Sequence, residues 1–272
     1  MRTLVHLSDL HFGRVDPRIV APLVRTIESM APHLVAVSGD LTQRARRHEF
    51  LQARAFLEQL PFPQIVVPGN HDVPLYNLPA RFLDPLAGYG RYITRDLDPV
   101  FQDEEIVVLG LNSARSAAWA GGGRLNPGQV RAAAARLAAA APHLVKIIVT
   151  HHPFDLPAGH GKRRLIGRSK MAMHQLAPAG ADLFLAGHLH VSHVGGTAER
   201  YRIAGHDALV VQAGTMSTRG RGEANAFNVV RIARDEIAVE RHSWDDTQAA
   251  FHPSPREEFQ RTPGGWSRRA TG

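Results

Sequence analysis

Short polar segments follow directly after apolar runs at five places in this chain, and this arrangement limits the folds that the chain can adopt. The apolar runs are short and rich in β-branched residues or leucine, which is typical of buried strands. Each polar segment supplies carboxylate, carboxamide or imidazole groups to the loop after its strand. The five segments are Ser8-Asp9-Leu10-His11, Gly39-Asp40, Gly69-Asn70-His71-Asp72, His151-His152-Pro153 and Gly187-His188-Leu189-His190.

Between these runs the sequence changes to helical periodicity. Asp16 is placed to cap a helix, Pro17 suits its first position, and apolar residues follow at helical spacing. Further helices are predicted over residues 46–59 and from Asn126 onward. Strands that alternate with helices predict an α/β fold with right-handed crossovers and helices outside the sheet. The predicted strands are residues 4–7, 34–37, 65–67, 106–109, 145–149 and 183–185.

The last third of the chain has extended segments without helical periodicity, at residues 209–212, 227–232 and 237–242. These segments predict a β-rich end to the same domain. Residues 251–272 are rich in Pro, Arg, Gly and Ser, which predicts a tail that is mobile or draped over the surface. We therefore expect one folded domain over residues 1–250, followed by this tail.

The composition narrows the choice of partners and ligands. The 32 Lys and Arg exceed the 25 Asp and Glu, and the net charge of +7 favours anionic partners without separating nucleic acids from small phosphate esters. The chain has no cysteine, so thiolate ligands and a cysteine nucleophile are excluded. Because it shows neither a leader-like start nor a long apolar stretch, we expect a cytoplasmic protein without a membrane partner. The sequence leaves open whether the chain forms a homo-oligomer.

The five polar segments are predicted to meet in one crevice. Loops at the carboxyl ends of strands gather at one edge of an α/β sheet, where such folds bind their ligands. Two carboxylates, one carboxamide and several of the 16 histidines would meet there, and these donors suit Mn, Fe, Zn or Co. Two ions about 3.5–4 Å apart would use so many donors, whereas one would not. Taken singly, most of these residues are more often caps or turn formers, but burying them together without metal would be costly.

In type and order, the segments resemble the signature of the calcineurin-like metallophosphoesterases. That signature runs Asp-x-His, Gly-Asp, Gly-Asn-His-Asp or Gly-Asn-His-Glu, His, and Gly-His-x-His, and all five parts occur in order over residues 9–190. The resemblance implies the fold of that family, a four-layer α-β-β-α sandwich of two mixed sheets flanked by helices. It also implies a phosphoesterase with two divalent or trivalent metal ions, of which Mn or Fe is favoured.

The resemblance also implies which residues bind the ions. The metal ligands would be Asp9, His11 and His190 for one ion, Asn70, His151 and His188 for the other, and Asp40 as the bridge between them. The ligand of the family stands two residues before the proline, which selects His151 over His152. His152 would then support a ligand or face the substrate.

A different role is implied for His71, which would stand beside the ions without binding them. In the family such a histidine protonates the leaving oxygen or steadies the phosphate, and the adjacent Asp72 would orient it. An imidazole suits proton transfer near pH 7. A metal-bound hydroxide would be the nucleophile, so that no covalent enzyme intermediate is required.

The substrate class is less constrained than the metal site. The Gly-Asn-His-Asp form and the chain length resemble the bacterial branch that cleaves cyclic nucleotides and other small phosphodiesters, so we expect a phosphodiesterase acting on a small phosphate ester. A phosphomonoesterase or a nuclease on the same core is the alternative, and a scaffold without catalysis is a more remote one. Nucleic acid is the less favoured partner, because nuclease relatives usually carry further segments after the core.

Several polar residues outside the signature have two interpretations, either as part of a substrate-binding rim or as loop caps, solvated charges and salt bridges. Substrate choice is expected to depend on loops of this kind. The residues are Asn112 and Arg115 after a strand, Lys162, Arg163, Arg164 and Arg168 in the insert at 154–170, and Arg219 and Arg221 before the last strands.

Overall fold

The computed structural model of the chain has two β-sheets packed face to face, with helices on the outer side of each sheet. The structure describes residues 1–116, 122–157, 165–201, 203, 206–220 and 222–269. This layer order is the predicted α-β-β-α sandwich, so the predicted fold class is confirmed.

The elements alternate in the first two thirds of the chain and become mostly strands afterwards. The strands are β1 (Arg2–Leu7), β2 (Leu34–Val37), β3 (Gln64–Val66), β4 (Val100–Gln102), β5 (Ile106–Gly110), β6 (Val145–Val149), β7 (Leu183–Ala186), β8 (His193–Gly196), β9 (Leu209–Gln212), β10 (Ala226–Ala233), β11 (Glu236–Asp245), β12 (Ala250–Pro253), β13 (Glu257–Thr262) and β14 (Gly265–Arg268). The helices are α1 (Pro17–Met30), α2 (Arg47–Leu57), α3 (Leu78–Leu83), α4 (Ala87–Tyr92), α5 (Pro127–Ala139), α6 (Ser169–Leu176) and α7 (Ala198–Tyr201).

The first sheet is mixed. Its spatial order is β14, β13, β11, β10, β1, β2 and β3, and β12 also pairs with β11. β1, β2 and β3 run parallel, as expected for strands joined through α1 and α2, while β10 runs antiparallel to β1. The antiparallel strands of the C-terminal region thus extend the parallel core of this sheet on one side.

The described residues of the predicted tail pair as strands of this sheet, which differs from the prediction of a segment that is mobile or draped over the surface. β12 and β13 pair with β11, and β14 pairs with β13. Each of these strands buries one large side chain, namely Phe251, Phe259 or Trp266. Since one apolar residue per short strand gives little alternation, the hydropathy pattern of this segment does not predict strands.

The second sheet has the order β4, β5, β6, β7, β9 and β8. β5, β6, β7 and β9 run parallel, and β4 and β8 close the two edges as antiparallel strands. The central strands are buried and read as continuous apolar runs, as expected for strands covered on both faces.

The apolar side chains form one layer between the sheets and one under each set of helices. Leu4, Leu34 and Ile147 lie in the middle layer, where the two sheets meet. Helix α1 begins at Pro17, and the side chain of Asp16 accepts a hydrogen bond from the backbone N–H of Arg18, as the sequence predicts. Among the described helices, none has the length and hydropathy needed to cross a bilayer.

Candidate active site

The carboxyl ends of β1, β2, β3, β6 and β7 meet at one edge of the sandwich, and the five polar segments lie there. Several of their residues have a left-handed backbone, which is uncommon for residues other than glycine and often marks functional sites. Nine such residues are found among those described, and five of them are predicted metal ligands. They are Asp9 (φ 52°), His11 (φ 45°), Asp40 (φ 53°), His188 (φ 72°) and His190 (φ 58°).

Two glycines allow the strand-end loops to approach each other closely. A Cβ atom at Gly69 would overlap the backbone and carboxylate of Asp40, and one at Gly187 would overlap Ser8 and the carboxylate of Asp9. The loops that carry the two carboxylates can therefore pack against the neighbouring loops only where the side chain is absent.

Asp9, His11 and His190 place three ligand atoms around one point. His190 Nε2 lies 3.1 Å from Asp9 Oδ1 and 3.1 Å from His11 Nε2, and His11 Nε2 lies 3.6 Å from Asp9 Oδ1. Ligand atoms bound at about 2.0–2.2 Å to one ion stand about 3 Å apart, so this spacing fits a metal site. Asp9 Oδ1 is buried and has no hydrogen-bond partner among the described residues. A carboxylate oxygen and two imidazole nitrogens that face each other in this way favour a cation between them.

The second predicted set is arranged in the same manner. His151 Nε2 lies 3.1 Å from Asn70 Oδ1 and 3.3 Å from His188 Nδ1. His151 is fully buried, whereas Asn70 and His188 are half-buried and leave this side of the site open to solvent. These three side chains therefore provide a second group of ligand atoms at metal-binding distances.

Asp40 connects the two sets. Its Oδ2 lies 3.3 Å from His151 Nε2 and 3.6 Å from His11 Nε2, so one oxygen faces both groups of ligands. Its Oδ1 accepts a hydrogen bond of 2.8 Å from the backbone N–H of His71, which fixes the orientation of the carboxylate. This is the arrangement that a bridging carboxylate requires.

Backbone carbonyls orient three of the imidazoles. The Nδ1 atoms of His11, His151 and His190 lie 3.3, 2.8 and 3.0 Å from the carbonyl oxygens of Thr42, Ser38 and Arg219. Because a carbonyl oxygen only accepts, each Nδ1 carries a proton, and each Nε2 faces the site as the atom that would bind a metal. Such partners hold metal-binding histidines in position and fix their tautomer.

The charges of the site favour cation binding. Burial alone would raise the pKa of Asp40, but His151 and the neighbouring imidazoles outweigh burial and hold that pKa well below its usual range. Burial is likewise outweighed at Asp9, chiefly by His190, and its pKa is also low. Burial lowers the pKa of His151, while Asp40 raises it, to about 9. In the protein without ions, the proton on His151 thus balances the Asp40 carboxylate, and a bound metal would displace it.

His71 lies beside both sets, and its ring is held at both nitrogens. Its Nδ1 lies 2.8 Å from the carbonyl oxygen of Gln43, and its Nε2 lies 2.9 Å from Nη1 of Arg219. A guanidinium group can only donate, so Nε2 accepts this hydrogen bond and carries no proton in this structure. Burial also lowers the pKa of His71. His71 can therefore act as the predicted proton donor only after Arg219 has moved away from its Nε2.

Asp72 differs from the prediction that it orients His71. Its carboxylate accepts hydrogen bonds from the backbone N–H groups of Leu41, Thr42 and Gly69 at 2.9–3.2 Å, and from the hydroxyl of Thr42 at 3.0 Å. Asp72 thus joins the Asp40 loop to the Gly69 turn, and the ring of His71 is oriented by Gln43 and Arg219 instead. Burial and the nearby Asp40 raise the pKa of Asp72, to about 6.

His152 is buried next to the second set. Its Nδ1 lies 2.8 Å from the hydroxyl of Ser113, and its ring centroid lies 4.6 Å from that of His188. Among the described residues, four groups of histidines and carboxylates have ligand atoms within 4.8 Å of one another, and one of them is His151, His152 and His188. Only His151 of the adjacent pair also lies beside Asp40 and Asn70, which supports its selection as the ligand.

The structure assigns roles to most of the described residues that the sequence left with two interpretations. Asn112 caps its own loop, since its side chain accepts a hydrogen bond of 2.9 Å from the N–H of Ala114. Arg219 contacts His71, and among the described residues it forms no ion pair within 4.0 Å. Arg115 and Arg168 line a separate cavity, which is described below. The remaining predictions, for Lys162, Arg163, Arg164 and Arg221, lie outside the described residues.

Comparison with known proteins agrees with this geometry. Residues 2–192 match the family of calcineurin-like phosphoesterases. A curated relative, the glycerophosphodiester phosphodiesterase GpdQ of Enterobacter lignolyticus (strain SCF1), is 32% identical over 80 residues, which are 25% of this chain and 29% of that protein. The match to this relative therefore covers less than a third of its length.

Solved structures share the fold at low sequence identity. A dimetal phosphatase from Danio rerio superimposes with a TM-score of 0.64 at 13% identity, covering 89% of this chain and 96% of that one. Purple acid phosphatase PPD1 from yellow lupin (Lupinus luteus) seeds superimposes with a TM-score of 0.66 at 11% identity, covering 94% and 53%. The sequence match, the four-layer fold and the two ligand sets that share Asp40 lead to one conclusion: the chain belongs to the calcineurin-like phosphoesterase family.

Proposed function

We propose that this protein is a phosphodiesterase with a dinuclear metal centre, acting on small phosphodiesters and, within that class, on cyclic nucleotides. The position of Asp40 Oδ2 between His11 and His151 carries the proposal, because one carboxylate oxygen faces two complete ligand sets. The match to a glycerophosphodiester phosphodiesterase supports diesters over monoesters. Mn or Fe suits the imidazole, carboxylate and carboxamide donors.

The two ions, when bound, would polarise the phosphate oxygens and lower the pKa of a water molecule. The protein's own contribution is to hold the ligands in place before any substrate arrives. Ser38, Thr42 and Arg219 do so through their carbonyl oxygens, and Asp72 does so by joining two ligand loops. A site that is organised in advance loses little energy in reorganisation during the reaction.

His71 and Arg219 form a pair that can respond to substrate. The guanidinium N–H that contacts His71 Nε2 would bind more strongly to a phosphate oxygen. Hydrogen bonds between two charged groups are stronger than hydrogen bonds from a charged donor to a neutral acceptor. Binding of phosphate thereby frees Nε2. Nε2 of His71 can then take up a proton from solvent, and the resulting imidazolium can steady the phosphate or return that proton to the leaving oxygen.

Hydrolysis of bis(p-nitrophenyl) phosphate and p-nitrophenyl phosphate by the Mn-loaded protein tests the proposal. We expect a higher kcat/KM for the diester, and release of nucleoside monophosphate when cyclic nucleotides are supplied. A strong preference for the monoester would overturn the assignment to diesters while leaving the metal centre intact. Absence of both activities and of bound metal would instead favour a scaffold without catalysis.

A further inference from the structure

A cavity of about 570 Å³ lies next to the active site, between the second sheet and the start of α5. Three arginines line it, and they come from three separate segments of the chain. The remaining polar wall consists of one carboxylate and several neutral groups. The lining residues used below are Arg115, Arg124, Arg168, Asp98, Asn112 and Gln129.

The three arginines of this cavity outnumber its single carboxylate, Asp98. Within the described part of the chain, none of the three guanidinium groups has a carboxylate oxygen within 4.0 Å. The one carboxylate, Asp98, already accepts hydrogen bonds from the backbone N–H of Asn112 (3.2 Å) and from the side chain of Gln129. Arg115 is half-buried, and burial followed by repulsion from the other two arginines lowers its pKa.

The fold holds the arginines together through short backbone contacts. Gly167 N–H donates to the carbonyl of Gly123 at 2.7 Å, and Leu125 N–H donates to the carbonyl of Gly167 at 3.2 Å. Residues 124 and 168 are thereby fixed on adjacent segments. Arg168 itself has a left-handed backbone (φ 66°), and its Nη1 donates to the carbonyl of Leu125 at 3.1 Å. Arg168 is the N-cap residue of α6, so the start of this helix fixes its side chain in the cavity wall.

The cavity adjoins the second ligand set of the metal centre. Ser113, which contacts His152, is the neighbour of Asn112 in the cavity wall. Gly123, the neighbour of Arg124, packs so closely on the ring of His152 that a Cβ atom there would overlap it. The backbone N–H of Arg124 also donates to the carbonyl of Ser113 at 2.9 Å. Ser113 and Gly123 thus both pack on His152, whose ring lies 4.6 Å from that of His188 in the second ligand set.

We propose that this cavity is a subsite for a second phosphate group of the substrate. This proposal rests on the function proposed above. The preferred substrate is then a phosphodiester that carries a phosphate monoester on the same molecule, such as a phosphorylated nucleoside diester. Guanidinium groups bind phosphate through paired N–H donors. The charge of three guanidinium groups suits a doubly charged phosphate better than it suits a singly charged carboxylate. Filling the site with phosphate would also relieve the repulsion among the arginines.

The test uses two chromogenic substrates and the Mn-loaded protein. One is a nucleoside p-nitrophenyl phosphodiester, and the other is the same molecule with a second phosphate on its ribose. We expect the second phosphate to raise kcat/KM about tenfold or more, mainly through KM. Arg115→Gln and Arg124→Gln should each reduce this ratio toward one, while Arg25→Gln, on the exposed face of α1, should keep it. The same ratio of kcat/KM values in the wild type and in all three variants would overturn the proposal.

A binding measurement separates this proposal from the proposed function. Calorimetry would compare a nucleoside bisphosphate with the matching monophosphate in the same proteins. If the wild type hydrolyses neither diester but the bisphosphate binds more tightly, and Arg124→Gln removes that difference, the subsite stands and the diesterase assignment fails. If both diesters are hydrolysed and the two nucleotides bind equally, the subsite fails and the diesterase assignment stands. Arg124 is exposed, so its replacement should leave folding intact.

Discussion

The two edges of this sandwich place charged groups in opposite ways. At the amino edge, where the parallel strands begin, charges meet partners of opposite sign: Arg2 Nε lies 2.7 Å from Asp103 Oδ2, and Arg261 Nη1 lies 2.7 Å from Asp182 Oδ1. At the carboxyl ends, imidazole nitrogens and carboxylate oxygens crowd together at 3.1–3.6 Å, and one oxygen of Asp9 has no hydrogen-bond partner among the described residues.

This difference separates structural from functional use of polar residues. Each pair at the amino edge joins a strand of the first sheet to a segment that precedes a strand of the second, and its polar atoms are satisfied within the protein. Asp182 also accepts hydrogen bonds from Trp266 Nε1 (3.0 Å) and from the backbone N–H of Lys146 (2.9 Å). At the carboxyl edge Asp9 Oδ1 has no hydrogen-bond partner among the described residues, and we expect bound cations to satisfy it. Mutations at the two edges should therefore have separable effects.

The largest effect is expected for Asp40→Asn, which replaces the charged bridge but keeps an oxygen to accept the His71 N–H. Because each ion contributes several kcal/mol to catalysis, kcat/KM should fall about a thousandfold or more. Metal analysis should show fewer than two ions per chain, and the melting temperature without metal should change little. Asp246→Asn, at an exposed carboxylate, is the control. Full activity in Asp40→Asn would contradict the bridging role.

His71→Ala should lower kcat by about 10²–10⁴-fold, the range for loss of an acid-base group. Metal content should remain at the wild-type level, since the ring nitrogens of His71 make their hydrogen bonds with Gln43 and Arg219. One ring nitrogen also lies within 4.8 Å of the ligand atoms of His11 and Asp40, so metal content is the decisive readout. Elemental analysis and steady-state kinetics on the same sample provide the measurement. Loss of metal in this variant would show that His71 belongs to the ligand sets.

Trp266→Ala tests the amino edge. The side chain is buried, donates to Asp182 and lies under the guanidinium of Arg261 at 4.5 Å from the ring centroid. Its removal should lower the free energy of unfolding by about 3 kcal/mol or more, measured by chemical denaturation. Below the melting temperature, metal content and kcat should stay at wild-type values. Trp266→Phe, which loses the hydrogen bond but keeps most of the packing, should cost less. A loss of metal in the folded variant would mean that the two edges are coupled.

Asp103→Asn should give the smallest effect, visible only in the pH dependence of stability. Burial opposes ionisation of Asp103, but hydrogen bonds from the N–H groups of Glu105 and Ile106 and from Arg2 outweigh it and lower its pKa. A carboxyl with a lowered pKa in the folded state stabilises the protein above its unfolded pKa of about 4, and this contribution is lost as the pH falls below that value. Unfolding of Asp103→Asn should therefore be less sensitive to acid. An unchanged acid limb would contradict this role.

The sequence predicts the elements that have strong patterns. The bounds of β2, β6 and β9 agree with their apolar runs, and the cap of α1 is at Asp16. The sequence does not predict several short elements that bury few large residues, namely helices α3, α4, α6 and α7 and strands β4, β8 and β12 to β14. The tail is the clearest case, since Phe259 and Trp266 each fix a strand that the Pro and Gly content of the segment conceals.

The sequence predicts the members of the site better than their contacts. All nine predicted site residues lie at one edge, because their motifs end strands of two sheets that share that edge. The carbonyl oxygens of Gln43 and Arg219, which hold His71 and His190, leave no signal, since every residue has one. The backbone N–H groups that bind the Asp72 carboxylate, in place of the predicted role in orienting His71, leave no signal either. The metal roles themselves stay predictions until ions are measured.

Metal stoichiometry tests the central claim most directly. The purified protein, loaded with Mn and freed of excess ions, should hold two ions per chain, and phosphodiester hydrolysis should rise with occupancy of the second ion. Electron paramagnetic resonance should show coupling between the two Mn ions in the wild type and its loss in Asp40→Asn. One ion per chain with full activity, or two uncoupled ions, would contradict an Asp40-bridged centre at this edge.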